Sequence, residues 1–185
     1  MVDPNSGGTT PAALPRAATE VQVVEYHRGT GGDYFLTADG GEIAALDAGR
    51  IPGWVRTGQV FHAYAAESVL QADMSPVCRF YRRPEAGQHS HFFSAYIDEC
   101  VAVASWLSSE WLLESANVFV VSLPVARDGS CAPGNVPVYR LYNNDPVSVD
   151  HRYTTSAAIQ SQMMAAGWVA EGFGPDAVAM CAPAQ

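Results

Sequence analysis

Val138-Tyr139-Arg140-Leu141-Tyr142, then His151-Arg152-Tyr153-Thr154, then Gly167-Trp168-Val169-Ala170-Glu171-Gly172: the reading of these runs decides the fold. The first two are strand-like, and the polar loop Asn143 to Val149 lies between them, so together they read as a hairpin. Ser156 then offers an N-cap, Ile159 and Met163 share a helical face, and Gly167 suits a left-handed C-terminal cap. After Trp168, Ala177 to Cys181 reads as a closing strand. The order is strand, strand, helix, strand.

The same order recurs twice upstream. The strand-like runs Val23-Val24-Glu25-Tyr26 and Val77-Cys78-Arg79-Phe80-Tyr81 are followed by Tyr34-Phe35-Leu36-Thr37 and His91-Phe92-Phe93-Ser94. Helical pairs follow, Ile43 with Leu46 and Ile97 with Val101, the first opened by an Asp39/Glu42 capping box. Then come Trp54 and Trp111, and Trp54, Trp111 and Trp168 stand 57 residues apart. The expected fold class is α+β: three strand–strand–helix–strand repeats about a pseudo-threefold axis, mostly antiparallel sheet of about nine strands with three short helices. The repeats span about 22–66, 76–124 and 136–183 within one domain, 22–185, preceded by a Pro/Gly/Ala-rich flexible leader or linker over 1–21. A unit this small buries too little core alone, whereas three share one.

Composition narrows the function classes. Hydrophobic residues make up 48% and charged ones 16% of 185 residues, which suits a packed core. The net charge is −9, and all ten basic residues are arginines, scattered along the chain. Nucleic-acid backbones are therefore not expected partners. No apolar run approaches the roughly 20 residues that span a bilayer, so no membrane insertion is expected. Four cysteines, Cys78, Cys100, Cys131 and Cys181, form no CxxC and no zinc spacing. They predict two disulfides in an oxidising compartment, hence a secreted or extracellular protein. Three pairings are open, and the expected one is Cys100–Cys131 with Cys78–Cys181.

The motifs of the third unit resemble a repeat-domain family of unknown function. That family occurs in secreted bacterial and fungal proteins, often appended to extracellular proteases or other hydrolases. The resemblance extends over about residues 22–183 and implies a secreted accessory module, with no catalytic residues to carry over. The first unit departs from the pattern at Tyr34, where the others have histidine, and at Arg56-Thr57, where the third has Ala170-Glu171.

Candidate ligand-binding residues gather at the hairpin ends: Tyr142, Asn143, His151, Tyr153 and Glu171 in the third unit, and Tyr81, His91 and Glu114 in the second. Tyr26 is taken as the first unit's match to Tyr81 and Tyr142. Aromatic rings stack on the C–H faces of sugars, while amides, imidazole and carboxylates bond hydroxyls. The plainer reading makes the rings core, Asn143-Asn144 turn residues, and Glu171 a local partner of an arginine. His89-Ser90-His91 lacks a third ligand, so no metal or other cofactor is expected. His91 and His151 stand three residues before Ser94 and Thr154, on opposite strand faces, with no GxSxG elbow. Those hydroxyls are expected to bond backbone where strand turns to helix. The expected function is a non-catalytic, lectin-like module for carbohydrate on a cell wall or glycan surface, with up to three sites. The alternative is a structural or protein-interaction appendage of a covalently linked secreted enzyme. A hydrolase ranks third.

Overall fold

The computed structural model describes residues 18–29, 33–86, 89–125 and 128–185. The leader expected over 1–21 lies outside these residues up to position 17. The first segment comprises β1 (Glu20–Arg28), β2 (Asp33–Thr37), α1 (Gly40–Asp47) and β3 (Trp54–Tyr64). A short strand, β4 (Met74–Pro76), leads into β5 (Cys78–Arg82), β6 (His91–Ser94), α2 (Ile97–Trp106), β7 (Trp111–Ser115) and β8 (Val120–Ser122). The third segment holds β9 (Asn135–Tyr142), β10 (His151–Thr154), α3 (Ala157–Ala165), β11 (Val169–Glu171) and β12 (Val178–Pro183). The fold is α+β, mostly antiparallel sheet with three short helices.

Twelve strands occur among the described residues rather than about nine. The excess is β4 together with β7 and β11, the stretches at Trp111 and just after Trp168, whereas the stretch at Trp54 runs on into the closing strand as β3. Each tryptophan stretch pairs with the first strand of its own segment: Trp54 opposite Arg28, Trp111 opposite Arg82, and Val169 opposite Tyr142. The strands form two sheets. One runs β10-β9-β12-β8-β3-β1-β2, with β11 on β9 and β4 on β8, and the other is β6-β5-β7. Closing strands meet where Tyr64 pairs with Val120 and Ser122 with Cys181. Around this contact lies the main core, which includes Phe61, Phe93, Phe119 and Tyr153. Phe61 meets Phe119 edge-on at 6.0 Å.

Each helix opens in the same way. The hydroxyls of Thr37, Ser94 and Thr154 accept from the backbone N–H two residues on, at 3.0, 3.0 and 3.1 Å. Asp39 and Ser156 cap α1 and α3, while Tyr96 gives α2 no side-chain cap bond. The expected capping box is only half made. Asp39 Oδ1 accepts from Glu42 N at 2.7 Å, but the Glu42 carboxylate turns away to Thr37 and to the next segment. Gly167 takes the left-handed conformation expected of it, at φ 98°.

Two expectations fail. The Ile97/Val101 face of α2 is exposed, at 65% and 58%, and Val103 is buried instead. The reason is covalent: Cys100 bonds Cys78, which turns the Cys100–Val103–Ala104 face onto β5. The disulfides are Cys78–Cys100 and Cys131–Cys181, not Cys100–Cys131 and Cys78–Cys181. One bond ties α2 to β5, and the other ties the loop before β9 to β12. Closing 22 and 50 residues removes unfolded-state entropy equivalent to roughly 3 and 4 kcal/mol.

Candidate functional site

Strand register decides which residues correspond. Opposite His91 and His151 stand Tyr81 and Tyr142, and opposite Tyr34 stands His27. Tyr26 pairs one step along, with Phe35. It therefore points to the other face, is 1% exposed, and its hydroxyl donates to Asp47 at 2.8 Å. Tyr26 is not the match of Tyr81 and Tyr142; His27 is.

Each signature ring packs against the tryptophan of another segment. His91 lies 6.2 Å from Trp54, 4.7 Å from Phe35 and 5.4 Å from Tyr81. His151 lies 6.4 Å from Trp111, 5.0 Å from Phe92 and 5.4 Å from Tyr142. Tyr34 lies 6.2 Å from Trp168 and 4.7 Å from His27. Three junctions result: first with second segment, second with third, third with first.

A charged residue at the centre of each first strand completes the junction. Arg79 binds Glu42 of α1 through two nitrogens, at 2.9 and 2.8 Å, and its Nε makes an oblique ion pair with Glu114 at 2.9 Å. Arg140 does the same with Glu99 of α2, at 2.8 and 3.0 Å, and with Glu171 at 3.0 Å. The guanidinium groups lie over Phe35 and Phe92 at 5.0 and 5.1 Å. At the third junction the charges are exchanged. Glu25 takes the strand position, Arg152 reaches it with two bonds of 2.9 Å, and that guanidinium covers Tyr34 at 4.5 Å. Thr57 Oγ1 donates to the same carboxylate at 2.6 Å. The first two junctions thus hold two ion pairs each, and the third holds one ion pair with a carboxylate–hydroxyl bond.

The first junction is an open cleft of about 260 Å³. The first segment contributes Arg28, Phe35, Glu42, Leu46, Ile51 and Trp54, and the second Arg79, Tyr81, His89, His91 and Glu114. One wall is chiefly apolar and the other polar and aromatic. Arg28 lies over Trp54 at 5.2 Å and is held by Asp33 at 2.6 Å. Tyr81 stacks on His89 at 5.6 Å, and its hydroxyl contacts His89 Nδ1. So both histidines of the H-x-H line the cleft. Among the described residues, no group of three or more His, Cys, Asp or Glu side chains is placed to hold a metal.

The second junction has the same frame but is filled. Val149, two residues before His151 as His89 is before His91, packs against the cluster containing Phe92 and Trp111. Trp111 is 7% exposed. The loop that brings Val149 in is fastened from both ends. Asn143 accepts from Asp150 N at 3.1 Å and donates to Ser148 O, and buried Arg82 donates to Val147 O at 3.2 Å. Arg82 occupies the register position of the half-exposed Arg28.

The sequence-derived residues therefore separate. Tyr81, His91 and Glu114 lie together in the open cleft. Tyr142, His151 and Glu171 lie together at the filled junction. Asn143 braces its loop, and Asn144 takes a left-handed turn conformation at φ 55°. Tyr153 belongs to the core: it is 2% exposed, donates to Phe93 O at 2.7 Å and accepts from Phe93 N at 2.9 Å. Trp54, Phe35, Arg28, Arg79 and Glu42 were not singled out for the site. The available signal was a charge set centrally in an apolar strand in every segment, at Glu25, Arg79 and Arg140.

Burial sets the charge states. It pushes His91 and His151 down to about 3, helped by Arg79 and Arg140, so both imidazoles are neutral. Each leaves a buried Nδ1 with no hydrogen-bond partner among the described residues. Burial also raises the Glu114 carboxyl, opposed by Arg79. Where the hairpins meet, Asp150 is pushed up to about 8 by burial, although Ser90 Oγ donates to it at 3.1 Å.

A family model described as a domain of unknown function, DUF5648, matches residues 6–121, and the chain belongs to that family. The match covers the first two segments and the cleft between them, and the third segment lies beyond it. No curated protein and no solved structure matches the chain.

Proposed function

We propose that the chain is a secreted, non-catalytic glycan-binding module, with its site in the cleft between the first and second segments. One observation carries this reading: Trp54 and Tyr81 stand in a single cleft with the Arg79–Glu42–Glu114 network and the Asp33-held Arg28. Stacking surface beside fixed donors and acceptors is what a sugar ring requires. The two disulfides fit an oxidising compartment. No helix among the described residues is long and apolar enough to cross a membrane. In this reading the three segments are copies of one unit about a pseudo-threefold axis. Among the described residues the first junction is an open cleft, whereas Val149 packs into the second. The natural partner is a cell-wall or other glycan surface, and a linked secreted enzyme is the expected neighbour.

The test is a glycan array probed with the folded chain and with a Trp54→Ala/Tyr81→Ala variant. Binding by the wild type alone supports the reading; no binding by folded wild type defeats it. The appendage reading has its own observation. Ile97, Val101 and Leu113 are exposed beside Pro76 and Ala116 in an apolar groove along α2. It gains if Ile97→Asp abolishes association with a covalently linked enzyme domain.

A further inference from the structure

The walls of the cleft define a ligand class more narrowly than glycan. Its lining charges cancel: Arg28 and Arg79 stand against Glu42 and Glu114. Neither arginine is unengaged, because Asp33 holds Arg28 at 2.6 Å and two glutamates hold Arg79. An incoming carboxylate would have to displace one of these partners while facing the others. It would also approach a chain of net charge −9. Acidic sugars are therefore disfavoured at close range and at long range.

The apolar wall adds a second restriction. Ile51 is 46% exposed and Trp54 half-buried, so both present accessible surface, with Leu46 and Phe35 buried beneath. A plain hexose covers one aromatic face with its C–H groups and turns hydroxyls everywhere else. It would leave the aliphatic corner at Ile51 facing polar groups. An acetamido substituent meets both requirements at once. Its methyl would lie on Ile51 while its amide N–H and C=O would bond polar groups of the lining, among them Glu114 and Tyr81. A cleft of about 260 Å³ lies just below the usual range of ligand pockets, which suits one ring rather than a chain segment.

We infer that the cleft takes a single neutral 2-acetamido-hexose residue, with its ring on Trp54 and its acetyl methyl on Ile51. This rests on the glycan-binding reading. The test titrates the full chain calorimetrically with methyl glycosides of 2-acetamido-hexoses, of the parent hexoses and of the uronic acids. Each is offered in gluco, galacto and manno configuration. At least one acetamido sugar is expected to bind about tenfold or more tighter than its parent hexose, the discrimination a methyl in an apolar pocket provides. The uronic acids are expected not to bind. Ile51→Ser, at an exposed position that leaves the fold intact, should bring acetamido and parent sugars level. Parent hexoses that bind as tightly, or uronic acids that bind most tightly, overturn this inference and leave the glycan reading standing. Absence of binding by every sugar overturns both.

Discussion

The junction of the first and second segments and that of the second and third share almost every part. Each has a histidine boxed by a tryptophan, a phenylalanine and a tyrosine, and an arginine shared between two glutamates. Yet Trp54 lines an open cleft while Trp111 is buried. The difference lies in one loop position, His89 against Val149, and in what Arg82 holds in place. The frame is therefore a means of joining segments, and an open cleft remains where the loop leaves it uncovered. A recurring set of aromatic and charged residues is thus no measure of how many ligands bind.

The severest break is at the third junction, where the frame depends on one exchanged ion pair. Arg152→Ala leaves Glu25, 2% exposed, buried without its cation and should cost about 3–5 kcal/mol in urea denaturation. A loss below 1 kcal/mol would mean that the exchanged pair does not hold this joint. Next come the two tryptophans. Trp111→Ala should destabilise by about 3 kcal/mol or more and leave sugar binding unchanged. Trp54→Ala should reverse that pattern, losing roughly thirtyfold or more in affinity with a smaller fall in stability. Equal behaviour of the two variants would erase the distinction between open and filled junctions.

Titration probes what the junctions share. His91 and His151 are held down near 3 from 6.5, so the unfolded chain takes up protons that the folded chain refuses as pH falls. Stability is present above about pH 6.5 and is lost toward pH 3, by about 1.4 kcal/mol per pH unit for each histidine. Asp150 acts oppositely. Raised from 3.8 to about 8, it contributes stability below about pH 4 that is lost as pH climbs to about 8. Asp150→Asn should therefore gain on the wild type across that range, as denaturation at pH 5 and pH 8 would show. The smallest effect is expected of Val149→Ala, which should cost about 1–2 kcal/mol and open the second junction, read as a second sugar-binding event in calorimetry.

The chain order of parts was legible in the sequence because helical and strand periodicities are local. So were the hydroxyls of Thr37, Ser94 and Thr154 at the helix entries, whose partners lie two residues away. The disulfide pairing was not, since even cysteine spacing carries no register. Nor was the match of His27, rather than Tyr26, to Tyr81 and Tyr142: one step along a strand reverses the face, and β1 carries a bulge between Val24 and Tyr26. For the cleft lining, Tyr81, His91 and Glu114 were legible because they recur within their own segment. Trp54, Glu42 and Arg28 were missed because they come from the segment before.

By itself, then, the sequence determined the chain order of strands and helices, the recurrence of its motifs and an acidic chain with an even set of cysteines. These follow from short-range periodicity and composition. Only the tertiary structure decided that the cleft lies between segments, that Arg79 links a strand of one to a helix of another, and that Val149 fills the junction where His89 leaves its counterpart open. Those are contacts between residues tens of positions apart, and closing the segments on one another is what brings them within reach.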